Sequence, residues 1–224
     1  MKTLNLYVLL FIAVLTSVLS CTRDKGQVAT VRLALPGSNG AFDKLGTLSG
    51  NEQVNMVIIS VTGAGINQPI LFQWDGHNSN GAPPPAYFEV TVPRGESRLF
   101  QALLIMADTS TGASTFYYGD LVKTVQAEES INIVANQVTT NSVSDGYIAG
   151  RFVNADGSGP SGGLRVYFPI AGKPKMLVAR KEIFGGWFST FALEGANLEY
   201  MLDDGQLLFG APVSVTSASL LSTS

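Results

Sequence analysis

The stretch YFEVTVPRGESRLFQALLIM, residues 87–106, decides the fold class of this chain. Apolar side chains occupy the even positions Phe88, Val90 and Val92, which is the two-residue alternation of a strand with one buried face. Residues 93–96 contain proline and glycine and predict a turn. Residues 98–106 are apolar on both faces, and this predicts a strand in a central position.

Strand periodicity continues on both sides of this stretch, and a helical period is hard to find. Of the 224 residues, 24 are glycine and 14% are charged, a balance that suits short strands joined by turns. Short apolar or alternating runs are separated by turn residues. We predict further strands at residues 28–35, 54–61, 70–74, 116–126 with a break at Gly119, 131–134, 146–153, 164–168, 176–180, 186–191, 198–202 and 206–215.

A polar segment without an apolar period, residues 137–145, separates the two series of strands. We therefore predict an all-β chain of two tandem antiparallel β-sandwiches. For the tail from Ser217 to Ser224, both a last strand and a free end stay open. The predicted division is a signal peptide at 1–20, an anchor and tether at 21–27, sandwiches at 28–138 and 146–224, and a linker at 139–145.

Residues 146–200 resemble the carboxypeptidase regulatory-like and transthyretin-like modules. The resemblance rests on a first strand that ends in glycine, a basic and an apolar residue, on an Asp-Gly turn, and on a later Gly-x-Phe strand. Residues 28–138 resemble the same superfamily more loosely. The resemblance implies Ig-like or prealbumin-like sandwiches, and such folds license no chemistry by themselves. The matching residues are 148–152, Asp156 with Gly157, 164–167, and Gly186 with Trp187 and Phe188.

The N-terminus carries Lys2 and then ten residues, 6–15, with almost no polar side chain. This pattern is typical of a signal peptide and is too short to cross a bilayer. Residues 18–21 resemble the lipobox of bacterial lipoproteins, and that resemblance implies that Cys21 is acylated and becomes the first residue. Since Thr22 follows the cysteine, it also implies the outer membrane in a Gram-negative cell. An ordinary secretory signal that leaves Cys21 as a free thiol is the alternative.

The charged and metal-binding residues restrict the possible functions. Removal of residues 1–20 takes away only Lys2 among the charged groups, which leaves 13 basic and 17 acidic residues and a net charge of −4. Nucleic acid is therefore not an expected partner. One cysteine and one histidine exclude disulfides within the chain and zinc sites of several Cys and His ligands. We expect no cofactor and no metal.

The most ligand-like loop follows the predicted strand at 70–74. Trp74, Asp75, His77, Asn78 and Asn80 combine an aromatic face with carboxylate and amide groups, which suits sugars or peptides. The competing interpretation makes Trp74 a core tryptophan with a solvated His77 beside it.

A second tryptophan lies in the predicted strand at 186–191. Trp187 and Phe188 occupy opposite faces of this strand, so one of the two is expected in the core. The other is expected either against a neighbouring domain or as an exposed contact residue.

These features predict a lipid-anchored protein of the bacterial envelope with a non-catalytic role in display, adhesion or ligand binding. Its expected partners are the membrane, through Cys21, and an envelope protein or a glycan. An accessory subunit of an envelope complex is one alternative, and an envelope hydrolase is another. Residues 159–163 fit the G-x-S-x-G pattern of hydrolases, but they lie between two predicted strands instead of between a strand and a helix.

Overall fold

A computed structural model of the chain describes residues 28–34, 52–76, 84–85, 87–138, 144–214 and 219–222. These residues form fifteen β-strands and no helix, so the predicted all-β class is confirmed. The strands are β1 (Val28–Ala34), β2 (Glu52–Gly63), β3 (Ile70–Asp75), β4 (Phe88–Pro93), β5 (Gly95–Asp108), β6 (Ser114–Val125), β7 (Glu129–Asn132), β8 (Asn136–Val138), β9 (Ser144–Val153), β10 (Gly162–Phe168), β11 (Met176–Ile183), β12 (Trp187–Glu194), β13 (Asn197–Leu202), β14 (Val213–Ser214) and β15 (Ser219–Ser222).

The first segment is built around β5, the long strand of the opening stretch. It pairs antiparallel with β2 and β6 in a five-stranded sheet of order β3-β2-β5-β6-β8, here called the central sheet. A three-stranded front sheet of order β4-β1-β7 packs against one face of the central sheet. Along β4, Phe88, Val90 and Val92 are buried while Glu89 and Thr91 are exposed, which confirms the predicted alternation.

The second segment consists of two further sheets. Their orders are β11-β10-β13-β14 and β12-β9-β15, and β15 runs parallel to β9. Aromatic side chains fill the space between these sheets. The rings of Phe152 and Phe188 stack at 4.5 Å, and Tyr200 meets Phe152 edge-on at 5.5 Å.

The second segment packs against the other face of the central sheet. Phe100 and alternate residues of β5 lie in the core beneath the front sheet, whereas Leu103 and Ile105 belong to the core of the second segment. Gln101 Nε2 also donates a hydrogen bond to the carbonyl of Pro174 at 2.9 Å. Because β5 is covered on both faces, its apolar character is continuous, as a central strand requires. The layers therefore follow the order front sheet, central sheet, second segment.

Several details differ from the predicted strands. The strand predicted at 206–215 is only partly formed. Residues 206–208 pair back onto β13, with Leu202 N donating to Gln206 O at 2.8 Å and Leu208 N donating to Tyr200 O at 2.9 Å, and the next strand is the short β14. The side chain of Leu208 is buried in the core. β6 runs unbroken through Gly119, and β9 already begins at Ser144. Within the tail, residues 219–222 form a strand.

Candidate functional site

The predicted ligand loop is only partly within the described residues. Trp74 and Asp75 end β3, and the half-buried Trp74 ring packs against the core between the front and central sheets. His77, Asn78 and Asn80 lie outside the described residues, as does Cys21 with the whole of residues 1–27. The structure therefore gives Trp74 a packing role, and ligand binding by this loop stays a prediction.

The largest exposed aromatic side chains lie at the tip of the hairpin that joins β11 to β12. Phe184 is 76% exposed and Trp187 is 65% exposed, while Phe188 is buried. Phe184 and Trp187 face each other across a two-residue turn, with Trp187 N donating to Phe184 O at 3.1 Å. Directly opposed residues of an antiparallel pair project from the same face. The hairpin therefore presents both rings on one side.

The two central residues of this turn are Gly185 and Gly186, with φ angles of +57° and +82°. Positive φ at both positions is the type I′ geometry that suits the twist of a hairpin, and glycine adopts it without strain. The sequence Phe-Gly-Gly-Trp between two strands carried this signal. Phe184 was nevertheless not among the predicted site residues.

Four hydrogen bonds fix the turn to the rest of the second segment. Gly186 N donates to Pro160 O at 2.7 Å, and Gly185 N donates to Ser161 Oγ at 2.9 Å. Phe152 N donates to Gly186 O at 3.0 Å, and Arg151 Nε donates to Gly185 O at 3.1 Å. A turn held by this many partners keeps the backbone that carries the two rings in place without help from a ligand.

Arg151 extends the exposed aromatic surface onto β9. It is the register partner of Trp187, and its guanidinium carbon lies 5.6 Å from the centre of the indole ring. A cation over an aromatic face is attracted by the ring quadrupole. Arg151 Nη2 also contacts Gly157 O at 3.4 Å. We call Phe184, Trp187 and Arg151 together the aromatic tip.

A cavity of about 350 Å³ lies beside the aromatic tip, and we call it the end cavity. It opens between the loop at 154–161 and the loop at 202–208, and its walls are both polar and apolar. Pro160 and Ser161 belong to the cavity wall and also hold the turn of the aromatic tip. The lining residues are Asn154, Pro160, Ser161, Leu202, Asp204, Gln206, Leu207 and Leu208.

Local hydrogen bonds shape both loops of the end cavity. Asp156 Oδ1 accepts bonds from Ser158 N at 2.9 Å and from the Ser158 hydroxyl at 2.6 Å, and these bonds form an Asx turn in this loop. In the other loop, Asp204 Oδ1 accepts from Gln206 N at 2.9 Å. Gln206 thus serves the loop through its backbone, and its exposed side-chain amide takes no part in that bond.

The G-x-S-x-G segment ends in a strand and not in a helix. Pro160 and Ser161 form part of the cavity wall, and β10 begins at Gly162. The Ser161 hydroxyl accepts the bond from Gly185 N. Ser161 therefore has a structural role in positioning the turn.

An ionic cluster lies at the junction of the two segments. Asp203 accepts hydrogen bonds from Arg165 Nε at 2.5 Å and from Arg180 Nη2 at 2.8 Å, and Arg180 Nη1 reaches Gln68 Oε1 of the first segment at 2.5 Å. Partial burial opposes ionisation of Asp203, but the bonds from Arg180 and Arg165 outweigh it and lower the pKa of the carboxyl. Its carboxylate is saturated by protein donors, so this cluster is structural.

A wider concavity of about 550 Å³ lies on the outer face of the front sheet. Arg32 Nε bonds Glu89 Oε1 there at 2.9 Å, and the guanidinium lies 5.2 Å from the centre of the Tyr87 ring. Both partners of this ion pair are largely exposed to water, which makes the pair weak. The surface is open and ion-paired, whereas the end cavity combines apolar walls with polar groups beside a fixed aromatic surface.

Comparisons with known proteins add little to this geometry. No family model and no curated protein matches the chain. A solved structure of a streptococcal ancillary pilin aligns with 89% of this chain and 63% of the pilin, at 13% identity and a TM-score of 0.28. The chain thus spans less than two thirds of that pilin's length.

Neither a membrane-spanning helix nor a metal-binding group of side chains is present among the described residues. Over residues 28–34, 52–76, 84–85, 87–138, 144–214 and 219–222, no helix is long and apolar enough to span a bilayer. In the same part of the chain, no three His, Cys, Asp or Glu side chains are grouped to hold a metal ion.

Proposed function

We propose that this chain is a lipid-anchored protein of the bacterial envelope that binds a partner through its aromatic tip and catalyses no reaction. The observation that carries the binding role is the exposure of Phe184 and Trp187 on a turn fixed by four hydrogen bonds. Tryptophan and arginine are enriched among the residues that dominate binding energy. A rigid surface of this kind loses little conformational entropy on binding.

The anchoring role is proposed from the lipobox-like residues that end at Cys21. Stable anchoring requires two lipid signals, and the three acyl chains of a mature lipoprotein exceed that requirement. The tether at 21–27 reaches at most about 25 Å when fully extended, so β1 and the front sheet stay close to the membrane. In a Gram-negative cell we propose the outer membrane as the site of anchoring.

The order of the layers supports a display role for the second segment. β1 follows the tether and lies in the front sheet, and the second segment packs on the opposite face of the central sheet. The aromatic tip therefore belongs to the layer separated from the tethered strand by the whole central sheet. This arrangement suits a protein that is held at one side and makes contact at the other.

The anchor is tested with Cys21→Ala in the native host. We expect the variant to leave the membrane fraction and to lose incorporation of radiolabelled palmitate, whereas the neighbouring substitution Thr22→Ala retains both. A Cys21→Ala protein that still sediments with membranes and still requires detergent for release contradicts the anchor.

The binding role is tested by retention of the detergent-purified full chain on isolated cell envelopes. We expect the double variant Phe184→Ala/Trp187→Ala to bind the envelopes with an affinity at least about tenfold lower. The reason is that truncation of a central aromatic contact costs about 1–2 kcal/mol or more. Val122→Ala is the matched control, since Val122 is 64% exposed on β6 in the first segment. Equal retention of the double variant and the wild type contradicts the proposed function.

A further inference from the structure

The aromatic tip and the end cavity lie next to each other and share backbone. Building on the proposed function, we infer that together they form one binding site for a neutral oligosaccharide. Four properties of the site support such a ligand: the open aromatic face, the chemistry of the cavity walls, the charges at the site, and the common support of both parts.

The aromatic face is Trp187. Arg151 lies over the indole, yet the side chain keeps 65% of its exposure, so a large part of the ring is open to solvent. The face of an aromatic ring is electron-rich and attracts the weakly positive C–H groups of a sugar ring. Phe184 on the same side of the hairpin widens this surface.

The cavity walls match a ligand rich in hydroxyl groups. Asn154, Ser161, Asp204 and Gln206 supply amide, hydroxyl and carboxylate groups that donate or accept hydrogen bonds, and Leu207 adds apolar surface. About 350 Å³ lies at the lower end of the size range of small-molecule sites.

The charges at the site favour a neutral ligand over an anion. Among the described lining residues of the cavity, Asp204 is the single charged side chain, and its carboxylate repels negative groups. Arg151 contacts Trp187 and the carbonyls of Gly185 and Gly157, so its guanidinium is already engaged within the protein. Acidic oligosaccharides are therefore expected to bind more weakly than neutral ones.

The aromatic tip and the end cavity are supported by the same residues, which favours a single ligand that contacts both over two separate ligands. Pro160 O and Ser161 Oγ hold the turn at Gly186 and Gly185, and the same two residues line the cavity. A Cβ on Gly159 would lie 2.3 Å from Gly185 O, which shows how closely the two backbones approach. A ligand that spans the cavity and the tip binds to a single rigid unit and orders no loop.

The test uses the full chain in a polyoxyethylene detergent, which carries no sugar. The probes are chitopentaose, cellopentaose, maltopentaose and mannopentaose, with tri-galacturonate as the acidic comparison, each up to about 10 mM. Binding is measured by saturation-transfer NMR and by tryptophan fluorescence. Because the chain has two tryptophans, Trp74→Phe makes Trp187 the sole fluorescent reporter.

We expect at least one neutral probe to bind and to change Trp187 fluorescence. Trp187→Ala should weaken that binding about tenfold or more, Trp187→Phe less, and Gln206→Ala by several-fold. Gln206→Ala leaves the loop intact because Gln206 supports it through its backbone. Val122→Ala should bind as the wild type does.

Three results overturn the inference, and each points to a different answer. If no neutral probe binds while envelope retention still requires Phe184 and Trp187, the partner is a protein and the proposed function stands. If a probe binds and Trp187→Ala does not weaken its affinity, the site lies elsewhere. The same follows if Gln206→Ala and Trp187→Ala both bind the probe with the affinity of Val122→Ala. If tri-galacturonate binds more tightly than every neutral probe, the ligand is an anion.

Discussion

Two turns of this molecule are both fixed by hydrogen bonds. One points its key side chain into the protein, and the other points its aromatic side chains into solvent. The turn between β4 and β5 buries Arg98, which is only 3% exposed and donates to the carbonyls of Pro93, Arg94, Glu96 and Ala64. The turn between β11 and β12 is fixed by backbone bonds and leaves Phe184 and Trp187 in solvent. In the first turn, the Arg98 side chain stabilises the fold. In the second, the folded backbone holds two aromatic side chains in solvent.

This difference predicts which substitution lowers the free energy of unfolding and which one weakens binding. Removal of the buried Arg98 side chain leaves four carbonyls without their donor, so the free energy of unfolding falls. Removal of the Trp187 ring takes away an exposed group, so the free energy of unfolding should change by less than about 1 kcal/mol. Binding should show the reverse order.

The largest effect is expected for Arg98→Met. The apolar side chain fits the space roughly but donates no hydrogen bond, and we expect a loss of about 3 kcal/mol or more in the free energy of unfolding. Urea denaturation followed by far-ultraviolet circular dichroism measures it. The control is Lys181→Met at an exposed site on β11, with an expected change within about 0.5 kcal/mol. Equal midpoints for the two variants contradict a role for Arg98 in holding the turn.

The second effect separates the two glycines of the outward turn. A Cβ on Gly186 would lie 2.0 Å from Phe152 O, whereas a Cβ on Gly185 meets no atom within 4 Å. We expect Gly185→Ala to cost about 1 kcal/mol for its left-handed backbone, and Gly186→Ala to cost at least about 1 kcal/mol more because β9 has to shift. Thermal unfolding measures both. A cost for Gly185→Ala equal to or above that of Gly186→Ala contradicts the close contact with Phe152.

The sequence predicts those features of the two turns that depend on neighbouring residues. It does not predict those that depend on contacts between residues far apart in the chain. The alternation at Phe88, Val90 and Val92 predicts β4, and the opposition of Trp187 and Phe188 predicts one buried and one exposed ring. Both follow from local periodicity. The strand predicted at 206–215 is only partly formed, because the pairing of residues 206–208 with β13 ends at Leu208, whose side chain fills the core.

The candidate site depends on contacts that no local pattern encodes. Arg151 and Trp187 are separated by 36 positions in the sequence and meet only through the pairing of β9 with β12. The end cavity forms where the loops at 154–161 and 202–208 converge. A hairpin signal at Gly185 and Gly186 indicates the turn, but the exposure of Phe184 follows from the packing of the second segment.

A smaller effect is the dependence of stability on pH. The contribution of the inward Arg98 should not depend on pH, whereas the contribution of the arginines around Asp203 should. Carbonyls do not titrate, whereas the pKa of Asp203 is lowered by Arg180 and Arg165 against the opposing effect of burial. A lowered folded-state pKa stabilises the protein above the unfolded value of about 3.9, and this contribution is lost as the pH falls through the folded value.

The measurement compares the wild type with Asp203→Asn by urea denaturation between pH 7 and pH 3. The difference in the free energy of unfolding should be largest near neutral pH and should shrink below about pH 4. For Arg98→Met the difference from wild type should stay constant over the same range. A difference for Asp203→Asn that does not change with pH contradicts the ionic role of this carboxylate.

The smallest effect concerns the core directly beneath the aromatic tip. Tyr200 packs against Phe152 and Phe188, and its buried hydroxyl has no hydrogen-bond partner among the described residues. Burial also raises the pKa of this hydroxyl, so it stays protonated. Tyr118 gives the matched case, because this residue is also buried and its hydroxyl accepts a 3.0 Å bond from Gln101 Nε2.

Removal of the two hydroxyls should therefore have opposite signs. Tyr200→Phe relieves the cost of an unsatisfied buried group and should raise the free energy of unfolding by up to about 1 kcal/mol, whereas Tyr118→Phe loses a formed bond and should lower it by about 1 kcal/mol. Denaturation midpoints at equal slope measure both changes. If Tyr200→Phe proves as destabilising as Tyr118→Phe, the Tyr200 hydroxyl has a hydrogen-bond partner in solution.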